Sequence, residues 1–291
     1  MIILQIFQLC EIAVTKWERI GCIDLLMGFY YIPSGGSGER LPFLFEASLS
    51  PFVSEFFALP AAGLSQFLSQ RSDSMNDFSP LRVDIVSNVV CPWCVIGYHQ
   101  LAKAVDETGI GIDVHWHPFE LNPQMADEGE NLREHLAAKY GTTLEGSIKA
   151  RARLTEMGAA LGFTFNYADD MRMVNTFRAH QLIDWAEGQG RAHDMKLALF
   201  AAFFSRREDL NNVDVLANVA GSIGLDRDTA RAMLESGDRA ESVREKERFW
   251  TSRGITGVPA MIFDRQHLVT GAQGEESYAN ILKQLQTAQA V

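Results

Sequence analysis

Two cysteines three positions apart, Cys91-Pro92-Trp93-Cys94, stand where an apolar alternating run, Val83-Asp84-Ile85-Val86-Ser87, gives way to a helical run from Val95 to Glu107. A dithiol at such a strand-to-helix junction can work as a redox switch, so thiol-disulfide exchange is the leading chemistry. Far downstream, Gly254-Ile255-Thr256-Gly257-Val258-Pro259-Ala260 places a proline just before another apolar, strand-like run. That proline is the second element such a site needs.

Helix geometry assigns the two sulfurs different surroundings. Cys94, Tyr98, Leu101 and Val105 recur at i, i+4, i+7 and i+11 and form one apolar stripe that should face a sheet, which makes Cys94 the buried thiol. Cys91 falls at or before the first turn, where unpaired N–H groups and the positive end of the helix dipole favour a thiolate, and it should be the exposed nucleophile. Thiols in such motifs have pKa values of roughly 3.5 to 7.5, so the thiolate would dominate at neutral pH over most of that range. Pro92 suits the first helical position because it has no N–H to leave unsatisfied. The alternatives are half of a zinc site or a pair of inert buried thiols. Zinc needs two more ligands. Cys10 and Cys22 lie in an N-terminal stretch of different character, and His99, His115 and His117 show no ligand spacing, so no metal site is expected. His115 and His117 alternate along a strand-like run and read as sheet-surface or packing residues. His99, next to Tyr98, reads as solvent-facing.

The chain has 291 residues, 47% hydrophobic, with a formal net charge of −11, enough for one large domain or two small ones. The acidic balance argues against nucleic acid or an anionic membrane surface as partner, since phosphate binding needs clustered Lys and Arg. Four cysteines, two of them in one pair, do not make the disulfide framework of a small secreted domain, and the expected setting is cytoplasmic. Residues 1–74 are rich in Phe, Leu and Ser, carry Pro33-Ser34-Gly35-Gly36-Ser37-Gly38 in the middle and keep no sustained period. Lys16 comes after the apolar start and Glu11 interrupts it, unlike a signal peptide. Glu46, Pro51, Glu55 and Pro60 break the later apolar stretch short of the roughly 20 residues a membrane span needs. The expectation is a disordered extension or an over-extended start ahead of Met75, with a targeting or packing segment as the alternative.

From Met75 the pattern is orderly. A strand near 82–87, a helix near 91–107 and a strand near 112–118 form a β-α-β unit, with Gly109 and Gly111 as the helix stop. A stretch of about 130 residues then reads as helical. It includes Leu132 to Tyr140, Leu144 to Leu161, the run through Ala179, Leu182, Ile183 and Ala186, and a buried helix from Leu197 to Phe204. Strand patterns return at 260–263 and 267–270 around a turn at Asp264-Arg265-Gln266, and a helix from Ser277 to about Gln289 closes the chain.

Three segments together, Ser87-Asn88-Val89-Val90-Cys91-Pro92-Trp93-Cys94-Val95-Ile96-Gly97, Asn175-Thr176-Phe177-Arg178-Ala179-His180 and Gly257-Val258-Pro259-Ala260, resemble the DsbA-like thioredoxin superfamily. The similarity is greatest to its FrnE-type branch, related to 2-hydroxychromene-2-carboxylate isomerases and kappa-class glutathione transferases, and it covers about Leu81 to Leu285. The resemblance implies an α/β thioredoxin-like fold, residues 75–121 and 255–291, with a large all-helical insertion, residues 122–254, between the β-α-β and β-β-α halves. It also implies Cys91 as attacking thiol, Cys94 as resolving thiol and Pro259 as a cis-proline beside them. Pro92, Trp93 and Val258 would then border the substrate, with Asn175, Arg178 and His180 as candidate pocket residues. The Pro-Trp pair differs from the Pro-His of strongly oxidising DsbA proteins. The expected activity is protein thiol-disulfide oxidoreduction on protein or small-molecule disulfides, with no cofactor required, glutathione as a candidate redox partner and a homodimer compatible with the family. The alternatives are a glutathione-dependent isomerase or transferase, whose relatives commonly carry serine at the first-cysteine position, and a non-catalytic thiol sensor or holdase using the face around Phe200, Phe203 and Phe204.

Overall fold

A computed structural model of the chain describes residues 79–289. The expectations for residues 1–74, and for Cys10, Cys22 and Met75, fall outside them. Strand β1 (Leu81–Ser87) is buried on both faces, as its Leu, Val and Ile content demands. Helix α1 (Pro92–Thr108) follows, and Gly109 ends it in the left-handed region at φ 68°, its N–H reaching the Val105 carbonyl. Strand β2 (Ile112–Pro118) pairs parallel to β1, with Ile85 opposite Trp116.

The insertion opens with β3 (Glu130–Asn131), α2 (Leu132–Tyr140), α3 (Leu144–Ala160) and β4 (Arg172–Met173). It continues with α4 (Phe177–Glu187), α5 (Ala192–Phe200), α6 (Val213–Ser222), α7 (Arg227–Ser236) and α8 (Ala240–Thr251). It is helical except for the two-residue ladder that β3 and β4 form, which is too short for any sequence period to register. Local chemistry sets the helix starts: Asn131, Thr143, Asn212 and Asp226 each accept from a backbone N–H of the first turn. The helix expected from Leu197 to Phe204 is instead the end of α5 and a π-helical turn, Ala201–Ser205, in which the Arg206 N–H reaches back to the Ala201 carbonyl. Phe200, Phe203 and Phe204 are all buried there.

Strands β5 (Ala260–Phe263) and β6 (His267–Thr270) complete a sheet of order β2-β1-β5-β6, with β5 antiparallel to β1 and β6 antiparallel to β5. Helix α9 (Glu275–Gln289) packs against α1. It begins two residues before the expected Ser277, with Glu275 and Glu276 in the first turn where a helix favours negative charge. One continuous apolar cluster joins the sheet, α1, α9 and the insertion.

Candidate redox active site

The turn after β1 places the dithiol. Asn88 Oδ1 accepts from the Val90 N–H at 2.9 Å, and Asn88 Nδ2 donates to Thr176 Oγ1 at 3.2 Å, which ties the turn to the insertion. Cys91 caps α1 with extended dihedrals (φ −94°, ψ 111°), and Pro92 takes the first helical position. The Cys91 carbonyl accepts from the N–H groups of Cys94 at 3.1 Å and Val95 at 3.4 Å, so one helical turn sets the spacing of the two sulfurs. Opposite them the Val258–Pro259 peptide bond is cis, and the Val258 carbonyl lies 3.7 Å from Cys91 Sγ. Gly97 permits this approach: a Cβ there would stand 3.4 Å from Pro259 Cγ and 3.2 Å from Met261 Cε.

Cys94 is fully buried, as the helix stripe requires, but Cys91 is buried too, with 4% of its surface exposed. The expected exposed sulfur is instead the floor of a groove. The two thiols interact and share one ionisation, so the pair is the titrating unit. The hydrogen bond with Cys94, burial and the neighbouring charge push the Cys91 thiol well up. Burial opposes ionisation of Cys94 as well, but the bond from Cys91, the Lys196 charge, Ser87 and the Asn88 backbone outweigh it and hold Cys94 below its ordinary value. The depressed value therefore falls on Cys94, against the thiolate expected at Cys91. The helix N-terminus is there, but the sulfur beside it is desolvated.

A groove of about 350 Å³ opens above Cys91. Pro92, Trp93 and Val258 border it, and Leu132, Leu136, Leu154, Tyr167 and Phe204 line it; Arg151 and His135 are its cationic-capable side chains. Trp93 is 41% exposed at the rim. A larger cleft of about 570 Å³ on the other side of α1, between Tyr98, Asp106, Trp116 and His193, contains neither sulfur.

The structure places the other candidates elsewhere. Asn175 donates to the Met125 carbonyl and accepts from the Phe177 N–H, and Arg178 donates to the carbonyl and side chain of Asn211. Neither lines the groove: both side chains are held by internal bonds that join loop to helix. His180 is buried, its Nε2 without a partner. His99, expected in solvent, packs between the rings of Tyr98 and Phe163, and burial lowers its pKa. His115 and His117 bond to Asp113 and Asp84. Sequence reasoning missed Lys196. Its signal was a lone cation in the apolar run Met195 to Phe204. Lys196 is 1% exposed, its Nζ donates to the Ser87 carbonyl at 3.3 Å, and it lies over the rings of Trp116 and Phe200.

A model of the DsbA-like thioredoxin domain matches residues 82–283. Over 70% of its length the chain is 32% identical to a probable DsbA oxidoreductase from Streptomyces coelicolor, covering 89% of that structure with a TM-score of 0.65. It is 17% identical to the cytosolic disulfide reductase DsbM of Pseudomonas aeruginosa, solved with GSH, covering 71% of this chain and all of that one at a TM-score of 0.51, a likeness of fold. Among curated proteins it is 23% identical to the uncharacterized YwbO of Bacillus subtilis, over 68% of this chain and 94% of the relative. The chain belongs to the DsbA-like thioredoxin domain family.

Proposed function

We propose that the chain is a thiol-disulfide oxidoreductase in which Cys91 attacks and Cys94 resolves. One observation carries the reading: Cys91 Sγ forms the floor of an apolar groove beside the Val258 carbonyl, while Cys94 lies one turn behind it with no exposed surface. A proton passed from Cys91 to Cys94 along their hydrogen bond puts the shared charge on the sulfur that faces the groove. That thiolate attacks a substrate disulfide and releases one substrate thiolate. Cys94 then loses its proton, attacks Cys91 Sγ in the mixed disulfide and releases the second. The substrates are protein or small-molecule disulfides, with glutathione as the redox partner. The reaction requires no metal or organic cofactor, and the setting is cytoplasmic. Asn175 and Arg178 do not line this groove, and the pair of cysteines in place of a serine favours dithiol exchange over the glutathione-dependent isomerase reading.

The test is reduction of insulin disulfides with glutathione or dithiothreitol, run beside mass spectrometry of the protein. Cys94→Ser should accumulate a mixed disulfide on Cys91, and Cys91→Ser should abolish reduction. Activity that survives Cys91→Ser ends this reading. Titration of the pair against a glutathione buffer then gives the direction of exchange, because direction follows from potential relative to the compartment.

A further inference from the structure

Lys196 is a buried cation that the steps above do not use. It rises from α5 with its Nζ held by the carbonyl of Ser87, the last residue of β1; its charge and those of both thiols act on one another, and it does not line the groove. A lysine with 1% exposure is rare without a paired charge. Its titratable and charged neighbours on β2, α4 and α1 are as follows. On β2 it meets the Trp116 ring, while the nearby His117 is bonded to Asp84. On α4, His180 is fully buried and kept neutral by desolvation and by the Lys196 charge. Asp184, also on α4, is spent on Lys246 of α8 at 2.6 Å, on Ser242 and on Arg239 at 3.8 Å, and Glu187 is paired with Lys246. On α1 stand the two thiols. The two thiols are the groups whose negative charge acts on Lys196.

Resting on the redox reading, we infer that Lys196 is a positioning residue whose protonation is linked to the redox state of the dithiol: charged opposite the Cys91–Cys94 monoanion, neutral when the disulfide forms. The reduced protein holds a thiolate, a thiol and an ammonium; the oxidised protein holds a disulfide and an amine. Two electrons and two protons leave together, one proton from the thiol and one from Lys196, and they convert a substrate disulfide into two thiols. Burial already brings the Lys196 pKa down to about 8, with both thiols acting to raise it. Losing their charge in the disulfide lowers it further. The proton has a way out through a narrow cleft of about 10 Å³ lined by His180, Asp184, Glu187, Lys196 and Lys246, close to the room one water needs.

Two measurements on the full chain test this, and neither depends on catalysis. Thiolate absorbance against pH should move up by about one unit in Lys196→Met, a tenfold loss of thiolate at fixed pH. A loss of packing alone would leave that titration in place. In the wild-type protein, with isotopically labelled lysine, nuclear magnetic resonance should show one buried lysine titrating lower in the chemically oxidised form than in the reduced form. A folded Lys196→Met with an unchanged thiolate titration, or a buried lysine that titrates identically in both redox forms, overturns the inference; the wild-type measurement stands even where the variant does not fold. Absent insulin reduction with a redox-linked lysine intact would instead overturn the function proposed above.

Discussion

Gly97 is where the two halves of the site touch, and its replacement separates packing from helix propensity. A Cβ at this position would stand 3.2 Å from Met261 Cε, 3.4 Å from Pro259 Cγ and 3.6 Å from Ala272 Cα. The closest of these is the end of a flexible side chain, which can give by a few tenths of an ångström. Gly97→Ala also removes a mid-helix glycine, a gain of about 0.5–1 kcal/mol, so the two effects nearly cancel. Gly97→Val is different. Its two γ-methyls must enter space already held by Pro259, Met261 and the Ala272 backbone. Overpacking of that kind costs about 1–3 kcal/mol, and valine adds roughly 0.5 kcal/mol of lost helix propensity relative to alanine. For a domain of this size each kcal/mol is about 2–4 °C in Tm, so Gly97→Val should melt on the order of 5–10 °C below Gly97→Ala. The Pro259 loop should also shift, taking the Val258 carbonyl away from Cys91 and slowing insulin reduction in Gly97→Val while Gly97→Ala stays near wild type. Thermal melts of the reduced proteins, together with the insulin assay, measure both. A Gly97→Val protein as stable and as active as Gly97→Ala would refute the claim that this contact holds the two halves of the site together.

Trp93→Ala should weaken apolar disulfide substrates, raising KM about tenfold from the loss of roughly 1.4 kcal/mol of rim contact, while Tm barely moves because the ring is already 41% exposed; an unchanged KM with such substrates would remove Trp93 from the binding surface. Burial alone would raise the Asp84 carboxyl, but the hydrogen bonds and charges of His117 and Arg82 outweigh it and hold the group well below the usual carboxylate range. A carboxyl depressed on folding stabilises the protein above its unfolded pKa, and that contribution fades as pH falls from about 4 toward the folded value. Urea midpoints measured down through that window should fall more steeply in wild type than in Asp84→Asn, and parallel curves would contradict the linkage.

Periodicity and turn chemistry made most of the scaffold legible. The alternation of Val83, Ile85 and Ser87, the helix stop at Gly109 and the turn at 264–266 depend on residues adjacent in the chain, and β2, β5, β6 and α2 have the predicted bounds. The spacing of Cys91 and Cys94 is equally local, since one helical turn fixes it. The β3–β4 ladder escaped because two residues carry no period, and the π turn because an extra residue in a helical turn leaves the apolar pattern of Phe200, Phe203 and Phe204 intact. The family resemblance suggested Asn175 and Arg178 as pocket residues, but their partners are Met125 and Asn211, set by how the loops fold back.

The sequence by itself determined which residues could do chemistry and on what elements they ride, because dithiol spacing, helix caps and strand alternation are short-range properties of the chain. Only the tertiary structure decided how that chemistry is tuned. The insertion brings Lys196 from 109 residues beyond Ser87 onto the Ser87 carbonyl, and Tyr167 and Phe204 line one groove with Cys91. Desolvation and charge pairing depend on which distant groups share a volume, and those distances are set when the insertion packs on the sheet.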